Sequence, residues 1–162
     1  MTGGGSPKLK VKPLIRFMLK RDLPDVLDIE RKSFEYPWTE KDFISALRTR
    51  NCIGMTAEYH EIVVSYMLYE IYKDHLIVVN LAVLPEACRK GIGRAMLNKL
   101  KVKLQPDRRS YMELHVKESN LSAQLFFASQ GLVATDVIKS PYENTDEDAY
   151  VFRYLADWKP NT

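Results

Sequence analysis

The chain is poor in cysteine: Cys52 and Cys88 are the two it has in 162 residues, far apart and without metal-ligand spacing. A disulfide framework and a cysteine-built metal module are both excluded, and the simplest reading is a reduced, cytoplasmic protein with two structural thiols and no metal. Long apolar runs are missing as well. None approaches the roughly 20 residues of a membrane span, and no secretory leader is expected, so a membrane partner is not expected either. Nor does charge of one sign dominate. The 24 basic and 21 acidic residues leave a net charge of +3, and the acidic run at 143–148 offsets basic clusters at 89–94, 99–103 and 108–109. A nucleic-acid binder would carry a stronger bias. Internal repeats and a dividing linker are absent too.

What is present is ordinary globular composition, 46% apolar and 28% charged, long enough for one domain with a substantial core and short for two. The opening "MTGGGSPKLKVK" reads as a flexible basic tail over 1–12, which leaves a single domain over 13–158. Along it, 13–19 alternates as a strand. Residues 21–34 carry Leu23, Val26, Leu27 and Ile29 near helical spacing, with Asp22 as the expected cap, and 39–49 makes a second helix after Pro37. Strands are expected at 51–58 and 61–72 around the turn "EYHE", and the nearly all-apolar 75–84 should be buried on both faces. A helix over 91–103, a strand at 110–117, a helix over 119–131 capped by Ser/Asn and stopped at Gly131, and strands near 132–139 and 148–155 complete the order. The pattern is α/β: a mixed central sheet of about seven strands with about four helices. Strands 75–84 and 110–117, joined by a helix, should be parallel with a right-handed crossover. Ligands gather beyond the carboxyl ends of such strands, which marks 84–94 and 115–120 as one crevice.

At that crevice stands "CRKGIGRAML", residues 88–97. Arg89, Lys90 and Arg94 surround Gly91-Ile92-Gly93 at a helix start, where free amides and the positive helix end suit an anion such as phosphate. The loop is too short for a Walker motif, and Met96 occupies the third glycine position of a dinucleotide fingerprint.

The longer run "NLAVLPEACRKGIGRAML" resembles the coenzyme A pyrophosphate loop of the GNAT superfamily of N-acetyltransferases, whose pattern is Arg/Gln-x-x-Gly-x-Gly/Ala. The element order is similar over about 13–155. The resemblance implies acetyl-CoA as co-substrate, with Arg89, Lys90, Gly91, Ile92, Gly93 and Arg94 at its phosphates. Leu81, Ala82 and Val83 would lie along its pantetheine arm between strands splayed near 84 and 115. "IERKSFEYPWTEKDF" (29–43) is similar to the first loop of amino-terminal acetyltransferases, including the ribosomal-protein-alanine type, and "SPYENTDEDAYVF" (140–152) to their terminal hairpin. It implies that Phe34, Tyr36, Pro37, Trp38 and Tyr142 line a peptide groove, and that a protein or peptide amino terminus, a ribosomal protein among the candidates, is the acceptor.

The implied chemistry is attack of a neutral amine on a thioester. At pH 7 roughly a tenth of an α-amine is neutral, against well under a thousandth of a Lys side chain, so an α-amine needs only a modest base. In "ELHVKESN" His115 stands where bacterial members carry Glu, and some eukaryotic members have a similar Leu-His-Val. His115 is therefore the candidate base, against the alternative of a hydrogen-bonded strand histidine. Asn120 matches a cofactor-binding position and also reads as a helix cap. Seven residues on, the family's acid Tyr falls on Phe127, which cannot give a proton and is left with packing beside the cofactor or in the core. Tyr142, Tyr111 or water is left as the acid. Three alternatives stay open: a Lys side chain as acceptor, a small amine as acceptor, or an acyl-CoA-binding module without turnover.

Overall fold

The computed structural model describes residues 12–156, so all but Lys12 of the expected tail, and residues 157–158 of the expected domain, lie outside the described residues. Seven strands form one sheet: β1 (Leu14–Phe17), β2 (Cys52–Tyr59), β3 (Ile62–Ile71), β4 (His75–Val83), β5 (Tyr111–Lys117), β6 (Val133–Ile138) and β7 (Ala149–Leu155). Their order is β1-β2-β3-β4-β5-β7-β6. Among the described residues four helices accompany them: α1 (Leu23–Ser33), α2 (Glu40–Leu47), α3 (Ile92–Lys101) and α4 (Leu121–Ser129). β4 and β5 are parallel and every other pairing is antiparallel.

Alternation along the strands divides the core in two. Met112, Leu114 and Val116 of β5 bury against Ile92, Met96, Leu97 and Leu100 of α3. On the opposite face Leu23, Val26 and Ile29 of α1 and Phe43 of α2 pack on Tyr66, Leu68 and Ala82. The β2–β3 hairpin turns through His60 (φ 52°) and Glu61 (φ 66°), the left-handed pair that matches strand twist in a two-residue turn.

Two expectations are corrected. Asp22 does not cap α1 with its side chain. Its carboxylate accepts from Leu19 N (2.7 Å) and pairs with Arg16 (2.7 Å), closing a 3-10 turn at Lys20–Asp22 ahead of the helix. The guanidinium of Arg16 holds the Asp22 carboxyl below the usual range, against the burial that raises it. The two thiols also differ. Burial, helped by Glu70, pushes the Cys52 thiol up to about 11, as suits an inert structural cysteine. Cys88 is exposed, its Sγ 3.5 Å from Leu84 O, so it does not pack as a core residue.

Candidate active site

β4 is bonded to β3 along one edge. Leu84 N donates to Val64 O (2.7 Å), and Ser65↔Val83 and Met67↔Leu81 are facing pairs. The alternation of an antiparallel ladder then gives the backbone of Ala82 to β3 and turns that of Leu81 and Val83 to the other edge. β5 pairs along that edge at His75↔Tyr111, Leu76↔Met112 and Ile77↔Glu113, and there the pairing ends. A bulge at Val79, where the β3 register steps from Asn80 to Val78, bends β4 just beyond this point. The parallel strands thus part into a wedge flanked by the backbones of Leu81 and Val83.

At the end of β4 the chain passes a 3-10 turn (Pro85–Ala87) into α3. Arg89 (φ 65°) and Gly91 (φ 80°) are both left-handed, and Gly91 has no atom within 4 Å of where a Cβ would stand, so conformation and not space requires the glycine. Within α3 the first amide to find an acceptor is Ala95 N, onto Gly91 O at 3.0 Å. The amides of Ile92, Gly93 and Arg94 therefore have no intrahelical acceptor. Ile92 anchors the turn in the core at 1% exposure, while Arg89, Lys90 and Arg94 are exposed. Gly93 is required by space: a Cβ there would stand 2.8 Å from Phe126 Cζ of α4. Unbonded amides at a helix start with three cations around them suit an anion.

The face of β5 turned to α1 carries Tyr111, Glu113, His115 and Lys117, as strand alternation requires. The His115 side chain is 40% exposed, and its Nε2 is 3.0 Å from Glu113 Oε2. Lys117 Nζ lies 5.1 Å from the Tyr36 ring and 5.0 Å from the Tyr142 ring, so the α1–α2 loop and the β6–β7 loop meet over the end of β5. Burial, then the carboxylate of Glu147, push the Tyr142 phenol up, so it keeps its proton at neutral pH.

The other expected residues divide. Phe34 and Trp38 pack into the core beneath α1 and α2, Trp38 edge-on to Phe43 at 5.2 Å, while Pro37 and Tyr36 are exposed. Of these four, Tyr36 is the one that reaches Lys117. Asn120 caps α4 by accepting from Ala123 N at 3.1 Å, which leaves its amide hydrogens for a further contact. Phe127 packs on the larger core, 5.3 Å from the Phe126 ring and 6.4 Å from Phe152. Three residues that build the candidate site escaped the sequence. Lys117 could have been found two residues past His115 on the same strand face. Glu30 sits one turn after Val26 on the apolar stripe of α1, an out-of-pattern charge that α1 buries to 2% exposure. Arg153 had no sequence signal, since it meets Glu113 only through the β5–β7 register. Among the described residues no cluster of three or more His, Cys, Asp or Glu could hold a metal ion, and no helix is long and apolar enough to cross a membrane.

A model of the acetyltransferase (GNAT) family matches residues 23–132. The [ribosomal protein bS18]-alanine N-acetyltransferase of Escherichia coli K12 is 29% identical over 132 residues, covering 80% of this chain and 88% of that protein. In fold, the crystal structure of the E. coli ribosomal-protein-S18-alanine N-acetyltransferase superposes with a TM-score of 0.78 at 24% identity, over 91% of this chain and 96% of that one. Arabidopsis thaliana Naa50, solved with the bisubstrate analogue CoA-Ac-MVNAL, gives a TM-score of 0.75 at 22% identity, over 89% and 99%.

Proposed function

The chain belongs to the GNAT family of acetyltransferases, and from that premise we propose that it transfers acetyl from acetyl-CoA to the α-amine of a peptide or protein amino terminus, with His115 as base. The observation that carries this reading is the parting of β4 from β5 after Ile77↔Glu113, which opens a passage through the sheet beside His115. The cradle at 89–94 lies at one end, and the Tyr36 and Tyr142 loops meet at the other.

The residues present fit the co-substrate. Amides of Ile92, Gly93 and Arg94 receive its pyrophosphate, with Arg89 and Lys90 for charge. The outward backbones of Leu81 and Val83 offer the amide-rich pantetheine arm a strand edge. Asn120 and Phe127 stand on the α4 side. Acetyl-CoA supplies the thioester. His115 then takes the proton of the attacking amine as the C–N bond forms, and Tyr142 or a water returns a proton to the departing thiolate. A thiol pKa near 8.5 makes sulfur a fair leaving group, so the phenylalanine at 127 slows this last step without forbidding it.

The acceptor named for the E. coli relative is a ribosomal protein, and a ribosomal-protein amino terminus is the first substrate to try. A cytoplasmic setting fits both this substrate and two unpaired cysteines. Phe127, packed among Phe126 and Phe152, favours a second reading, an acyl-CoA-binding module without turnover. The test is thiol release from acetyl-CoA with short peptides, each paired with its N-terminally blocked form. Release that requires the free α-amine supports the proposal. Release on blocked, Lys-containing peptides moves the acceptor to side chains. Calorimetric binding of acetyl-CoA without release across a broad peptide set establishes the module instead.

A further inference from the structure

His115 is the last member of a chain of contacts that crosses three strands on one face of the sheet. Tyr72 stacks on His75 (ring centroids 4.7 Å, 7° between planes), and His75 stacks on Tyr111 (5.0 Å, 6°). The guanidinium of Arg153 lies 4.7 Å over the Tyr111 ring, and its Nε donates to Glu113 Oε1 at 2.8 Å. The other oxygen of Glu113 is 3.0 Å from His115 Nε2. Backbone register makes this possible: His75 is paired with Tyr111, and Glu113 with Arg153, directly across the ladders.

The chemistry of the middle link is decisive. Burial by itself would push the Glu113 carboxyl up, but the hydrogen bonds and charges of His115 and Arg153 outweigh it and bring the group down. Glu113 is therefore a carboxylate at neutral pH, which accepts hydrogen bonds and donates none. Its 3.0 Å contact with a neutral imidazole is a hydrogen bond only if the ring proton sits on Nε2. Arg153 occupies the second oxygen, so the carboxylate cannot turn away from the ring without breaking an ion pair.

Resting on the proposed role of His115 as base, we infer that Glu113, held by Arg153, is a positioning residue that fixes His115 in its Nε2–H tautomer, so that Nδ1 is the nitrogen that accepts the amine proton. Glu113 itself exchanges no proton with the substrate. Its effect runs through the ring: the wrong tautomer would offer the substrate an N–H where a lone pair is needed. Replacing an orienting carboxylate by its amide costs about 10⁴-fold in kcat in a serine-protease triad. His115 is more exposed than such a histidine, and its expected loss is about ten- to a hundredfold.

Two readouts test this. The first needs no turnover: ¹⁵N–¹H correlation spectra of the three histidine rings, with His115 assigned by its loss in His115→Ala, report which nitrogen bears the proton at pH 8. The wild type should show Nε2–H, and Glu113→Gln a mixture, because an amide can donate as well as accept. An Nδ1–H ring in the wild type, or an unchanged pattern in Glu113→Gln, overturns the inference. The second is kinetic. Glu113→Gln should lower kcat about tenfold or more with peptide KM within about twofold, Glu113→Asp should recover part of the loss, and Arg153→Leu should lose more than Arg153→Lys. Placed on His115→Ala, Glu113→Gln should cost nothing further, since its only route is the missing ring. An equal loss in both backgrounds overturns the positioning role. If the spectra are as predicted but His115→Ala turns over like the wild type, the base assignment has failed and the catalytic role of Glu113 with it. A melting temperature for each variant, expected within a few degrees of wild type, separates these effects from damage to the fold.

Discussion

The two loops that meet over Lys117 are held in opposite ways. The α1–α2 loop is fixed from within. The buried carboxylate of Glu30 accepts from Trp38 N (3.0 Å), from Asn80 Nδ2 of β4 (3.2 Å) and from the Tyr66 hydroxyl of β3. Trp38, Phe43 and Tyr66 then interlock edge to face at 5.2 and 5.5 Å. The β6–β7 loop is fixed from outside. Asp148 takes Ser140 N (3.0 Å) and Lys139 Nζ (3.1 Å), and Glu147 takes Ser119 N (3.0 Å), with Lys139 83% exposed. One wall of the proposed groove is thus part of the core, costly to disturb and insensitive to salt. The other rests on screened surface charges and can yield to its ligand.

The largest effect that separates the walls should come from Glu30→Ala. It strands the buried Tyr66 hydroxyl and two half-buried donors, Trp38 N and Asn80 Nδ2, and chemical denaturation should find about 3 kcal/mol of stability gone. pH sharpens the contrast. Burial raises the Glu30 carboxyl, so in the window between its ordinary and its folded pKa the folded chain holds a proton that the unfolded chain has lost. Fewer protons bound to the unfolded state means that stability falls as pH climbs through that window. Glu30→Gln should flatten this slope. Asp148 works in the reverse sense: the Ser140 amide and Lys139 hold it down, so its contribution fades as pH drops through its folded pKa.

Next in size is Gly93→Ala, which leaves both walls alone. The added methyl meets the Phe126 ring, so overpacking should cost about 1–3 kcal/mol of stability by chemical denaturation, and the shifted start of α3 should raise KM for acetyl-CoA with peptide KM unmoved. Lys117→Gln removes the cation shared by the two tyrosine rings. Loss of two contacts of about 0.5–1 kcal/mol each should lower the melting temperature by a few degrees, and the loosened loops should raise peptide KM severalfold. The smallest effect is that of salt. Between 0.05 and 0.5 M NaCl, roughly a twofold rise in peptide KM is expected, and Asp148→Asn should abolish the dependence. A salt response that survives Asp148→Asn would break the contrast between the walls.

The same contrast runs through what could be read from the sequence. Elements set by local periodicity were legible: β4 and its parallel neighbour β5, the glycine start of α3, and the Asn120 cap and Gly131 stop of α4 stand where spacing put them. The splay of β4 from β5 was implied by the family resemblance near 84 and 115, and it begins earlier, after Ile77↔Glu113. Within the candidate site, the left-handed turn and the unbonded amides at the start of α3 were legible because glycines act through backbone, which follows local sequence. Glu30, Lys117 and Arg153 were not, because each acquires its role from a partner on another strand or loop. Phe34 and Trp38 show the converse: an aromatic motif in a loop reads the same whether its rings face a groove or a core, and here those two face the core.

The proposed transfer depends most directly on the base. Thiol release by His115→Ala should be compared with wild type on one free-amine peptide at saturating acetyl-CoA. A fall in kcat of about a hundredfold or more, with peptide KM and melting temperature little changed, is the predicted result. A kcat within about threefold of wild type would contradict it and move the proton to another group.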